Sequence, residues 1–191
     1  MDDGVAPALG VPSPKPSSAK AVPPGPPQSE TRRVGRLPKG TVGEADGVLP
    51  DTATVFDDEY AGIAKLDPQL LKALRKAAKD ARRDKVVFHV SSAWRSPAYQ
   101  AELFRQGIAT YGSAEEAARW VAPPDKSLHV LGDAVDIDGA AAKKWLARKG
   151  AAYCLCRVYE NEPWHFELRP EAREDGCPAR YRDATHDPRL R

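Results

Sequence analysis

Two short stretches of the chain concentrate its chemistry, Ser127-Leu-His-Val-Leu-Gly-Asp-Ala-Val-Asp136 and Glu162-Pro-Trp-His165. Between them they supply the imidazoles of His129 and His165 and the carboxylates of Asp136 and Glu162. Two imidazoles and one carboxylate are a ligand set for a catalytic zinc that keeps a fourth position for water. The remaining carboxylate is then free to take a proton from that water. This combination points to a zinc peptidase.

Taken alone, the first stretch also fits a surface loop with a stray histidine and a hairpin aspartate. His129 is expected in a loop and Asp136 in the strand after it. Gly132 lets the chain turn between them. Ala134 and Asp136 share one strand face, with Val135 and Ile137 on the core face. An acid so flanked is costly to bury without a partner, and a metal supplies one. In the second stretch, Pro163 forces Glu162 into an extended geometry. The site therefore differs from the helical His-Glu-x-x-His arrangement. Trp164, Phe166 and Leu168 are expected on one face of a strand, with His165 and Glu167 on the other. Glu162 at the turn is the first candidate for the base, and Glu167 is its rival.

Arg95, in Ser91-Ser-Ala-Trp-Arg-Ser-Pro97, ends a strand before a helix. Its guanidinium suits a carboxylate or a developing oxyanion, or an ion pair with one of the chain's acids. Gln100 lies five residues on and can line the same pocket. Ser127 can donate a hydrogen bond to a substrate carboxylate. His89 reads as structural and His186 as a solvated residue of the C-terminal tail.

These residues need a scaffold. Asp67-Pro68 predicts an N-cap and first helical residue. Leu70, Leu71, Leu74, Ala78 and Ala81 then recur at helical spacing to about Arg83. Lys85 to Ser91 reads as a strand. Ser96-Pro97 caps a helix to about Gln106, and a further helix runs from Ala114 to Val121. Asp133 to Ile137 reads as a strand, and Ala140 to Lys149 as a helix closed by Gly150. Cys154 to Tyr159 and Trp164 to Leu168 form a hairpin. Helices and strands mix without βαβ regularity, which predicts an α+β fold with an antiparallel sheet.

The 191 residues carry a formal net charge of +2, which gives no argument for nucleic acid or an anionic membrane. Half of the 18 prolines lie in the first 38 residues. Residues 1–45 are expected to be a disordered Pro-rich tether, and 46–191 the folded domain, with Val55, Phe56 and Tyr60 packing onto it. No apolar run spans a bilayer, and no secretory leader follows Met1. The three cysteines allow at most one bridge within the chain. Cys154 and Cys156 lie two apart on the expected strand and are poorly placed to join each other. A bridge from either to Cys177, or three free thiols, are both open.

The pattern Ser127-x-His129-x-x-Gly132-x-Ala134-x-Asp136, followed by Glu162-x-Trp164-His165, resembles the VanY-type D-alanyl-D-alanine carboxypeptidases. These group with VanX-type dipeptidases and hedgehog-like zinc domains. Trp94-Arg95-Ser96 with Gln100 resembles that family's Tyr-Arg-Ser segment and its downstream Gln. The likeness runs from about Asp67 to Leu168. It departs in Pro123-Pro-Asp-Lys-Ser127, where a Gly and a small hydroxyl residue are common. The resemblance implies a small antiparallel sheet flanked by helices. It implies one zinc on His129, Asp136 and His165, with Glu162 as general base. Arg95, Ser127 and Gln100 would hold the substrate's terminal carboxylate or polarise its scissile carbonyl. The implied reaction removes the terminal D-Ala of peptidoglycan stem peptides. Dipeptidase, L,D-carboxypeptidase and endopeptidase activities, or a non-catalytic cell-wall binding module, are the alternatives. The implied setting is the cell-wall side of a bacterial membrane, where a monomer meets its peptide substrate. A tether and a disulfide such as Cys156 to Cys177 would suit that setting.

Overall fold

The structure is a computed structural model in which residues 42–190 are described. The expected tether therefore lies outside the described residues up to position 41. Residues 44–46 already belong to the fold. They form a 3-10 turn, and Asp46 accepts hydrogen bonds from the Ser96 amide at 2.8 Å and the Ser96 hydroxyl at 2.8 Å.

The architecture is α+β. In chain order it comprises α1 (Ala61–Ala64), α2 (Pro68–Arg83), β1 (His89–Ser92), α3 (Pro97–Tyr111), α4 (Ala114–Ala118), α5 (Leu128–Leu131), β2 (Ala134–Asp138), α6 (Ala140–Lys149), β3 (Leu155–Arg157), β4 (His165–Leu168) and α7 (Ala172–Asp175). The four strands form one antiparallel sheet in the order β1-β2-β4-β3.

Helix α2 forms for local reasons. The Asp67 carboxylate accepts from the amides of Gln69 and Leu70 at 2.9 and 2.8 Å, and Pro68 takes the first helical position. Leu70, Leu74, Ala77, Ala78 and Ala81 make one buried stripe. That stripe packs with Val55, Val90, Val135, Ile137, Trp145 and Phe166 in the main core. Each fully buried Leu or Phe contributes about 1.5–3 kcal/mol of transfer free energy. The sheet face carrying Val135, Ile137 and Phe166 is thereby anchored, and the opposite face is left to chemistry.

Several boundaries differ from the sequence reading. Strand β1 begins only at His89. Lys85 takes a left-handed φ of 59°, and the Val86 amide bonds back to Ala81 O, so the chain first wraps the end of α2. Helix α3 continues to Tyr111 and stops at Gly112. His129 sits in the single turn α5 rather than in a loop. Cys154 is not on a strand; its φ of 60° closes the turn before β3. Gly150 has ordinary helical angles and is required for closeness instead, since a Cβ there would lie 2.3 Å from Leu155 O. Trp164 falls in the turn before β4 and lines a cavity instead of the core. Cys156 and Cys177 form a disulfide, and Cys154 is free.

The stretch expected as a solvated tail is folded. Tyr181 pairs with Tyr159, its amide donating to Val158 O at 2.9 Å. Asp183 is buried and bonds the guanidinium of Arg119 at 3.0 Å. His186 is itself exposed and bonds Asp183.

Gly132 is the joint between α5 and β2. Its φ is +84°, a Cβ would meet Lys65 O at 2.6 Å, and its carbonyl accepts from the Asp67 amide at 3.0 Å. Gly132→Ala should therefore destabilise the fold by about 2 kcal/mol or more, read as a lower urea midpoint. An unchanged midpoint would show that the joint is soft.

Candidate metal centre

Strand pairing brings the first two candidate ligands together. Asp136 on β2 lies directly opposite His165 on β4. Residues so paired have Cβ atoms about 5 Å apart on one face. His129 arrives from the turn before β2, where the Arg95 amide donates to its carbonyl at 3.1 Å. Potential ligand atoms of His129, Asp136 and His165 lie within 4.8 Å of one another, and all three residues are buried.

The finer geometry suits a small divalent cation. Asp136 Oδ1 is 3.4 Å from His129 Nε2 and 3.4 Å from His165 Nδ1. A tetrahedral zinc with bonds of about 2.1 Å has edges of about 3.4 Å. Asp136 Oδ1 and His165 Nδ1 are buried yet have no hydrogen-bond partner within the protein. Two facing polar atoms left this way are costly unless a third species satisfies both. The outer nitrogens are already assigned. His129 Nδ1 faces Ala93 O at 2.8 Å, and His165 Nε2 faces Glu167 Oε1 at 3.2 Å. Each pairing fixes the ring and turns the other nitrogen inward. The residues present thus fit a zinc ion.

Electrostatics agree with that fit. Burial opposes charge on Asp136, but the two imidazoles and Arg95 hold its carboxyl well below the usual carboxylate range. Burial likewise opposes charge on His165, yet the carboxylates of Asp136 and Glu167 outweigh it and push its pKa up to about 10. Burial and the charge of Arg95 push His129 down. The cluster calls for one positive charge between its members, which a proton on His165 or a metal ion supplies in competition.

Glu162 stands beside this group, its Oε2 3.7 Å from His165 Nδ1. Burial pushes its carboxyl up to about 8. The turn that carries it is pinned by Asn161 Nδ2, which donates to Arg119 O at 2.7 Å. Glu167, the rival base, lies behind His165. Burial opposes its charge, but His165 and Arg189 overcome that and hold it at about 2. It is therefore a fixed acceptor.

Arg95 makes the ion pair that its surroundings allow. Its Nη2 donates to Asp136 Oδ2 at 2.9 Å, its Nη1 to Gln100 Oε1 at 3.0 Å, and its Nε to Ser92 Oγ at 2.6 Å. Gln100 in turn donates to Ala122 O at 2.7 Å, so its amide is occupied at both ends. The seven candidate residues, with Ser127 among them, all line one cavity of about 340 Å³. Among the residues named here, none of Arg95, Gln100, Ser127, His129, Asp136, Glu162 and His165 is more than 7 % exposed. Leu103, Trp164 and the stacked rings of Tyr111 and Trp120, centroids 6.0 Å apart, also line the cavity. Tyr111, Trp120, Tyr159 and Arg189 have no local sequence signal, since they meet the site only through tertiary packing.

Comparison with known proteins is consistent with this arrangement. Residues 63–155 match the family model described as D-alanyl-D-alanine carboxypeptidase, VanY. A D-alanyl-D-alanine carboxypeptidase of Enterococcus faecalis is 31% identical over 143 residues, covering 62% of this chain. The chain spans about half the length of that relative, 53%. A vancomycin-resistance D,D-pentapeptidase VanY mutant from a VanB-type cassette, in complex with Zn(II), is 29% identical with a TM-score of 0.50, covering 54% of this chain and 72% of that one. VanYB in complex with D-alanine-D-alanine is 26% identical with a TM-score of 0.53, covering 59% and 78%.

Breaking the Arg95–Asp136 pair leaves a buried carboxylate and the Gln100 amide short of partners. Arg95→Met should cost about 3 kcal/mol in chemical denaturation. A loss below about 0.5 kcal/mol would mean that the pair is dispensable to the fold.

Proposed function

We propose that this VanY-type chain is a zinc-dependent D,D-carboxypeptidase that removes the terminal D-Ala from D-Ala-D-Ala-ended peptidoglycan stem peptides. The observation that carries the reading is the pair of unpartnered buried atoms, Asp136 Oδ1 and His165 Nδ1, converging with His129 while Glu162 lies beside them outside the ligand group. The relatives support the substrate, since one is named for D-alanyl-D-alanine and another holds D-alanine-D-alanine.

His129, Asp136 and His165 would hold one zinc. Bound there, zinc would act as a Lewis acid on a carbonyl and lower the pKa of water toward ~7. Glu162 serves as the general base toward the attacking water and hands the proton to the leaving amine. Burial raises the Glu162 carboxyl, and the positive charge that zinc would bring beside it acts in the opposite direction, toward the ionised form a base needs. The Ser127 hydroxyl binds the peptide's terminal carboxylate. Arg95 fixes Asp136 and presents positive charge at the cavity wall, which favours a carboxylate or developing oxyanion. Gln100 acts by holding Arg95 in place. All these groups come from one chain, so a monomer suffices. The Cys156–Cys177 disulfide supports work outside the cytoplasm, on the cell-wall side of a bacterial membrane. Among the described residues no helix is long and apolar enough to cross a membrane.

Release of D-Ala from a D-Ala-D-Ala-terminated pentapeptide tests the proposal. Glu162→Gln should lower turnover by ~10²–10⁴-fold while zinc is retained. Asp136→Ala should lose bound zinc as well as activity. No D-Ala release by the zinc-loaded chain, with Glu162→Gln indistinguishable from it, would reject the assignment.

A further inference from the structure

The two imidazoles of the site are steadied in different ways. His129 is backed by a main-chain carbonyl, which needs no further support. His165 is backed by the Glu167 side chain, which does. A side-chain carboxylate on rotatable bonds orients a ring only as firmly as its own neighbours hold it. Glu167 is 2 % exposed and is kept in place by two guanidiniums. Arg169 makes one contact, Nη2 to Oε2 at 2.9 Å. Arg189 reaches both oxygens, Nη1 to Oε2 at 2.8 Å and Nη2 to Oε1 at 3.4 Å. A two-point grip sets the plane of a carboxylate, which a single contact leaves free to rotate.

Arg189 is itself held. Asp187, fully buried, accepts from Arg189 Nε at 2.9 Å and also contacts its Nη2. Asp187 Oδ2, the oxygen that Arg189 Nη2 contacts, also accepts from the Tyr159 hydroxyl at 3.0 Å. The Tyr159 ring lies against His165, centroids 4.9 Å apart. Segment 181–190 thus touches His165 by two routes, through Arg189 and Glu167 to Nε2 and through Asp187 and Tyr159 to the ring face.

We infer that Arg189 is a positioning residue for His165, acting through Glu167, and thereby raises the affinity of the site for its cation. The inference rests on the zinc reading above. The Glu167 carboxylate aimed by Arg189 accepts the His165 Nε2 hydrogen, which commits Nδ1 to ligation.

Zinc affinity of the full chain, measured by competition with a colorimetric chelator, tests it independently of turnover. Arg189→Ala should weaken zinc binding ~10–100-fold, the range expected for loss of an outer-sphere partner. Arg189→Lys, with charge but no fork, should recover part of that loss. Arg119→Ala is the control. It releases the same segment at Asp183 without touching Glu167, and should keep the original affinity. Unchanged affinity in Arg189→Ala, or an equal loss in Arg119→Ala, would overturn the inference. Should Arg189→Ala fail to fold, Glu167→Gln replaces it, and an undiminished affinity there overturns the inference equally. An unaltered chain that binds no zinc would instead overturn the reading on which the inference stands.

Discussion

A carboxylate buried in the middle of a sheet is the constraint on which this structure turns. Asp136 sits on an inner strand, where an unpaired charge is prohibitively expensive. Its two oxygens have separate duties. Oδ2 is neutralised by Arg95, and Oδ1 is shared between two imidazoles that both approach to 3.4 Å. The neighbours follow from that division. A register shift between Val90 and Ser92 places Ser92 opposite Asp136, where its hydroxyl can accept from Arg95. Gln100 is drawn in from helix α3 to complete the guanidinium's partners. The site is thus assembled from the inside outward, with each buried polar group answering for the previous one.

The sheet supplies precision that a loop-built site would lack. Asp136 and His165 are cross-strand partners, so their separation is set by the ladder itself. The opposite face of the same residues' neighbours, Val135, Ile137 and Phe166, is sealed in the core. Repacking there would tilt the strands and move both side chains. Of the three, only His129 comes from outside the sheet, on the single turn α5, and it is tied by its ring to Ala93 O and by its carbonyl to Arg95 N.

The sequence made legible what is local. The start of α2 follows from Asp67, Pro68 and the leucine spacing, all within one or two turns. The alternation around Asp136 and His165 identified which side chains leave the apolar core face, and residue type marked them as candidate ligands. Less legible was anything decided by meeting. The partner of Arg95 could have been any acid until strands β1 and β2 were paired. Trp164 was assigned to the core by strand alternation, but Pro163 keeps it in a turn where alternation does not apply. Arg189 contacts Glu167 across 22 positions of chain, and a Pro- and Asp-rich stretch gives no sign of docking. The helical turn at His129 was missed because four residues are too few to show a period.

The outer strands have a consequence of their own. Strand β3 has three residues, and the Cys156–Cys177 link hooks the following segment across it while Tyr181 continues beside Tyr159. At the far border, Thr54 bridges to His89 and the Val90 amide donates to Ala53 O. Both margins are therefore short and covered by the chain's own backbone. A second molecule finds little template for adding a strand, which guards against fibrous self-association.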